Sequence, residues 1–232
     1  MATISVMIPA YNEEKNLRDA VASVLNAVSI EEISDYEILI FDDCSTDSTG
    51  DIADEIASTN VAIRVIHNEE NMGFGYNYSK GLNLATMEYY CLFPGDNENE
   101  GESFKDILTN IGKADMVLSY TANREVRKFK RRVISWLYNW AINYIFTMNM
   151  RYYNGINIYP VKILREIEID TFSFAFNAEI IVRLVKRGYS YIEVPTFVKP
   201  TAKSSALTLK NIFGVIGTIA RLSYEVNIKR EI

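Results

Sequence analysis

Two short stretches carry carboxylates where an open α/β sheet would bind a ligand. The first is Ser5-Val-Met-Ile-Pro-Ala-Tyr-Asn-Glu-Glu14, a brief apolar run that breaks into an aromatic, an amide and two acids. The second is Phe93-Pro-Gly-Asp-Asn-Glu-Asn-Glu100, where Asp96 and Glu98 lie two residues apart in a turn. Strand ends in such sheets face a crevice where ligands sit. Pro9, Ala10, Tyr11, Asn12 and Glu13 suit a nucleoside there, with an aromatic face for a base and acceptors for ribose hydroxyls. Asp96 and Glu98 could share one hard cation, Mg²⁺ or Mn²⁺, whose other ligands would be diphosphate oxygens and water; an acidic surface loop is the plain alternative. Between them, Phe41-Asp-Asp-Cys-Ser-Thr-Asp47 offers Asp42 and Asp43 as acceptors for a base or ribose, or as caps for the next helix. Asn71-Met-Gly-Phe-Gly75 and the following Lys80 read as a phosphate-binding turn or an ordinary one, with Gly73 free to take a left-handed conformation.

These residues need a scaffold, and the hydrophobic pattern supplies one. Apolar runs at 4–8, 37–41, 62–67, 89–93 and 116–120 read as strands. Helical patterns intervene, with Leu17, Val21, Val24, Leu25 and Val28 on one face and further helices at 47–57 and 75–84. Such alternation predicts βαβ units and a mainly parallel sheet. After residue 120 the character changes. A basic run of Arg124, Arg127, Lys128, Lys130, Arg131 and Arg132 precedes an aromatic helix with Trp136, Tyr138, Trp140, Tyr144 and Phe146. Residues 154–157 read as a turn, 174–187 as a helix, 191–194 as a strand and 208–229 as a final amphipathic helix. The expectation is one domain over 1–232, with a nucleotide-binding half (1–120) and an acceptor-binding half (121–232).

Composition narrows the function classes. The 232 residues are 48% hydrophobic and carry a net charge of −6, which argues against a nucleic-acid binder. Two distant cysteines and no evident leader favour a cytoplasmic protein. A single histidine, His67, excludes a Cys2His2 zinc site, and no nucleophile elbow accompanies it. The Trp-rich helix beside the basic run suits a peripheral position at the inner membrane face, while core packing or a homodimer contact accounts for its aromatics equally well.

The segments Val6–Glu14, Phe41–Asp47, Asn71–Gly81 and Pro94-Gly-Asp96 together, in this order and spacing, resemble the family 2 glycosyltransferases and their GT-A, Rossmann-like fold. The resemblance covers roughly the first 120 residues. It implies a nucleotide-diphosphate sugar donor, UDP- or GDP-linked, with Pro9, Tyr11, Glu13 and Asp42 on the nucleoside; Ala10, Asn12, Asp43, Gly73, Lys80 and Gly95 complete the expected donor site. Asp96 matches the last carboxylate of the family's metal motif, Pro94 replaces the first, and Glu98 falls where related enzymes carry a Gln ligand. The second half resembles more loosely the polyprenyl-phosphate branch that includes dolichol-phosphate mannose synthase, through Arg131-Arg-Val-Ile-Ser135, Asn154-Gly-Ile-Asn-Ile-Tyr159 and Glu193-Val-Pro-Thr-Phe-Val198. It departs from that branch at Arg151, Asn157 and Lys199-Pro200.

A phosphate acceptor would need cations, and Arg124, Arg127, Arg131, Arg132 and Lys203 are the expected set; a solvated helix face is the alternative reading of that run. A sugar-hydroxyl acceptor would need a base, and Glu179 is the expected one. Loss of the first metal carboxylate could instead leave a catalytically weak nucleotide-binding or scaffolding protein.

Overall fold

The computed structural model describes residues 1–169, 175–200 and 209–229, without the side chains of 209–213. The first βαβ units form as the pattern predicts. Strand β1 (Ala2–Ala10) leads through helix α1 (Leu17–Val28) to β2 (Ile33–Asp42), then α2 (Thr49–Thr59) and β3 (Ile63–His67). Helix α3 (Phe74–Leu84) returns the chain to β4 (Tyr89–Leu92), on the other side of β1. Helix α4 (Gly101–Leu108) and β5 (Met116–Thr121) follow.

β1 is apolar on both faces because both are covered. Ile4, Val6 and Ile8 face a core that includes Leu17, Val21 and Val24 of α1 with Phe104 and Ile107 of α4. Met7 faces the opposite core, with Tyr78 of α3, Tyr90 and Tyr159. Fully burying each such side chain stabilises the fold by roughly 1.5–3 kcal/mol.

The second half enters the same sheet. Beyond a short 3₁₀ turn (Arg124–Val126), α5 (Phe129–Phe146) is followed by β6 (Ile158–Pro160), α6 (Val161–Leu164), α7 (Phe176–Lys186), β7 (Tyr191–Thr196), α8 (Leu209–Ser223) and a π-helical segment (Tyr224–Lys229). The sheet order is β3-β2-β1-β4-β6-β5-β7. The strands pair in parallel except β6, which runs antiparallel to β4 and β5; an isolated antiparallel bridge joins Asn99 to Val198. β6 directly follows the turn of 154–157 and has no counterpart in the hydrophobic pattern. Three residues are too few to show a period.

The order reverses at β1: strands added before β4 lie to one side of it, and β4 to the other. This switch point opens a crevice at the carboxyl ends of β1 and β4. Gly95 lets the two loops approach closely, since a Cβ there would lie 2.6 Å from the Pro9 carbonyl oxygen.

Candidate functional site

A cleft occupies the switch point. β1 supplies Pro9 and Ala10 and the loop after it Tyr11 and Glu13, while the loop after β4 supplies Pro94, Gly95 and Asp96. Asp43, Phe74 and Asn77 complete the wall. Tyr11 is exposed, its ring available to a ligand. Phe74 did not stand out as a site residue in the sequence; only the crossing of α3 behind β1 brings it here.

Asp43 organises the far wall. Its Oδ1 accepts from Asn68 Nδ2 (2.8 Å) and the Met72 amide (2.9 Å), and its Oδ2 accepts from the Gly73 amide (2.9 Å). Gly73 adopts φ 81°, a region where other residues are strained. Asn68 also donates to Asn77 Oδ1 at 2.6 Å and accepts from Lys80 Nζ at 3.1 Å. Lys80, expected to meet phosphate, is thereby directed onto this network.

Asp42, expected on the nucleoside, is not among the residues that line the cleft. It is buried, with Oδ1 accepting from the Ser45 amide (3.1 Å) and Oδ2 2.9 Å from His67 Nδ1. His67 Nε2 lies 3.1 Å from Asp54 Oδ1. Burial raises the Asp42 carboxyl, but the Ser45 and His67 hydrogen bonds outweigh it and hold the group below its ordinary range. The same bond to Asp42 holds His67 above its ordinary range, aided by Asp54. Asn12 is a tie as well: at φ 56°, its Oδ1 accepts from the Thr46 amide at 2.8 Å, joining the loops after β1 and β2.

Two carboxylates face the cleft under strain of charge. Asp96 is solvent-accessible at the mouth yet crowded by protein; this desolvation, with the nearby Glu98 charge, raises its pKa despite the Glu98 amide hydrogen bond (3.0 Å). Glu13 is also raised, first by desolvation and then by the charges of Asp96 and Asp47, although Asn16 Nδ2 donates to it at 2.7 Å. Like charges held close in a partly dry cleft favour a bound cation or proton.

Glu98 stays beside Asp96, but its carboxylate is turned onto arginines. Arg131 grips it with both guanidinium nitrogens, at 3.0 and 3.2 Å, and Arg127 Nε lies 3.6 Å away. Its carboxylate is thus already neutralised. The donor set fits a cation held by Asp96 together with a ligand's own oxygens, not a protein cage: among the described residues no three His, Cys, Asp or Glu side chains group closely enough to hold a metal.

The expected acceptor cations are mostly engaged. Arg124 donates to the Thr121 and Arg151 carbonyls (3.3 and 2.8 Å), and Arg127 donates to the Tyr152 hydroxyl at 3.0 Å. Arg132 is exposed. Lys203 lies outside the described residues. Glu179, expected as a base, is fully buried on α7; its Oε1 accepts from Arg183 (3.2 Å) and Arg221 (2.9 Å). The structure thus places this carboxylate between two guanidiniums, away from the residues that line the cleft.

The chain is 26% identical over 211 residues to the undecaprenyl-phosphate mannosyltransferase of Micrococcus luteus, covering 84% of each protein. It is 27% identical over 221 residues to the polyprenol monophosphomannose synthase of Mycolicibacterium smegmatis, covering 89% of this chain and 82% of that one. Among solved structures, the glucosyl-3-phosphoglycerate synthase of Mycobacterium tuberculosis, in complex with Mn²⁺, uridine diphosphate and phosphoglyceric acid, superposes with a TM-score of 0.67 at 14% identity, over 97% of this chain and 78% of that one. The model of glycosyl transferase family 2 matches residues 5–170, spanning both the cleft and most of the sheet, and the protein belongs to that family.

Proposed function

We propose that this glycosyltransferase moves a sugar from a nucleotide-diphosphate sugar onto a polyprenyl phosphate, with inversion at the anomeric carbon. The observation that carries the reading is the cleft at the switch point, where an open Tyr11 ring, the Asp43-organised wall and the raised Asp96 carboxyl converge. Tyr11 and Pro9 would pack on the base and Glu13 would accept from the ribose. Asp96 would hold a divalent cation, Mg²⁺ or Mn²⁺, jointly with the diphosphate; when bound, it compensates charge on the leaving group. The names of the two relatives support a lipid-linked phosphate acceptor. Burial of Glu179 supports it too. A phosphate monoester is already ionised near neutral pH and attacks without a general base, whereas a sugar hydroxyl needs one. Exposed Arg132 at the start of α5 would help position such an anion. An acceptor of this kind is lipid-embedded, so the enzyme would work peripherally at the cytoplasmic membrane face.

The test is transfer of radiolabel from UDP- and GDP-sugars to polyprenyl phosphate in the presence of Mn²⁺, comparing wild type with Asp96→Asn. Label should appear in an organic-extractable, mild-acid-labile product, and Asp96→Asn should lower turnover by about 10²–10³-fold. Label confined to water-soluble glycan would overturn the acceptor. The fold raises the Asp96 pKa, so its ionised form opposes folding at neutral pH. Asp96→Asn should therefore melt higher than wild type at neutral pH, and the gap should close below the ordinary carboxylate range.

A further inference from the structure

Helix α5 turns its aromatics outward rather than into the core. Phe129, Trp136, Trp140 and Tyr144 are 75%, 59%, 55% and 76% exposed, with Val133 and Leu137 exposed between them. At 3.6 residues per turn these six positions fall within an arc of about 100°. They form one continuous stripe along the helix, and Trp140 stacks on Tyr144 with ring centroids 5.6 Å apart. Single exposed apolar residues are ordinary, but a contiguous stripe of this size marks an interaction surface. The opposite face is anchored: Asn139, Ile142 and Phe146 are buried, and Arg131 holds Glu98.

Charge indicates the occupant. Lys130 borders the stripe on one side, with Arg132 and then Lys128 on the other, and all three are exposed. The helix carries no acidic residue in a chain of net charge −6; exposed Glu125 belongs to the turn before it. A two-fold contact with a second copy would set this cationic border against itself. No described helix is long and apolar enough to cross a membrane. Aromatics flanked by basic side chains fit a helix lying in the boundary between headgroups and acyl chains.

We propose that this face of α5 docks flat on an anionic lipid bilayer, its aromatic stripe at the acyl boundary and Lys128, Lys130 and Arg132 against lipid phosphates. The assignment stands on the helix surface itself and holds whatever the sugar acceptor is. The Glu98 loop, held by Arg131 on the opposite face, then lies behind α5 as seen from the bilayer.

The chain's two tryptophans are Trp136 and Trp140, so intrinsic fluorescence reads this face alone. The full chain is titrated with vesicles of phosphatidylcholine containing phosphatidylglycerol, and with phosphatidylcholine alone. The anionic vesicles should shift emission to the blue, brominated acyl chains should quench it, and added salt should weaken both. Leu137→Ser/Tyr144→Ser and, separately, Lys128→Gln/Lys130→Gln should each reduce co-sedimentation with anionic vesicles by roughly tenfold or more while keeping the wild-type circular dichroism. No blue shift with anionic vesicles overturns the proposal. Equal partition into neutral vesicles overturns its electrostatic half. A blue shift that tracks protein concentration without lipid assigns the face to a second copy instead.

Discussion

The strand ends of the first half and the basic segment of the second treat charge in opposite ways. At the ends of β1 and β4, Glu13 and Asp96 face a cleft, both raised in pKa first by desolvation and then by neighbouring carboxylates, Asp96 and Asp47 for Glu13 and Glu98 for Asp96. Around α5, Arg124, Arg127 and Arg131 are matched to carbonyls, the Tyr152 hydroxyl and the Glu98 carboxylate. The first region crowds like charge around a cleft open to a ligand; the second compensates these three arginines internally and exposes apolar surface bordered by Lys128, Lys130 and Arg132. An acidic residue at a strand end is therefore a better guide to a site than a run of arginines, which are often bound to their own protein.

This contrast can be tested, starting where the effect is largest. If Glu179 is structural, Glu179→Gln leaves Arg221 facing a neutral amide and Arg183 with Glu225 as its remaining carboxylate, at about 3–5 kcal/mol. Thermal melting should then show a fall of roughly 6–20 °C. An unchanged melting temperature with collapsed turnover would restore the base role and blur the line between the halves.

Asp43→Asn tests the donor wall. One of three hydrogen bonds is lost, because an amide nitrogen replaces one accepting oxygen. UDP or GDP binding measured by calorimetry should weaken by about 1–3 kcal/mol with the fold intact. Unchanged affinity would mean that the loop of residues 68–73 does not form the donor wall.

Glu98→Gln asks to which region that residue belongs. As a partner of Arg131 and Arg127, its loss should cost roughly 1.5–3 kcal/mol of stability and leave the Mn²⁺ concentration for half-maximal activity within about twofold. A tenfold rise in that concentration would make Glu98 a metal ligand and move it to the donor side.

His67→Gln should have the smallest effect, about 1 kcal/mol or less for a pair so exposed. The folded state raises the His67 pKa, so the contribution is complete below the ordinary imidazole value and fades as pH rises through the raised one. Melting curves across that interval should be flatter in the variant than in wild type. Identical slopes would remove His67 from the electrostatics of the donor loops.

Much of the donor half was legible in the chain. β1, β2, β3, β4 and β5 formed where apolar runs met turn residues, because both faces of a parallel sheet are covered and its strands read as apolar blocks. Pro9, Tyr11, Glu13 and Asp96 follow directly from those strand ends. The pattern said less about Asp42 and Asp43. Adjacent residues point to opposite sides of a strand, and only the positions of His67 and of Gly73 decide that Asp42 turns to one and Asp43 to the other.

By themselves, the residues determined the fold class, the family and which strand ends meet at the switch-point cleft, because those depend on local patterns repeated strand after strand. Tertiary structure alone decided the rest. It enclosed Glu179 between arginines from α7 and α8, turned Glu98 onto Arg131, inserted β6 between β4 and β5, and left Trp136 and Trp140 outside the core. A charge or an aromatic ring looks the same in sequence whether it is open or covered. Which it is depends on partners distant along the chain, and those meet only once the sheet has assembled.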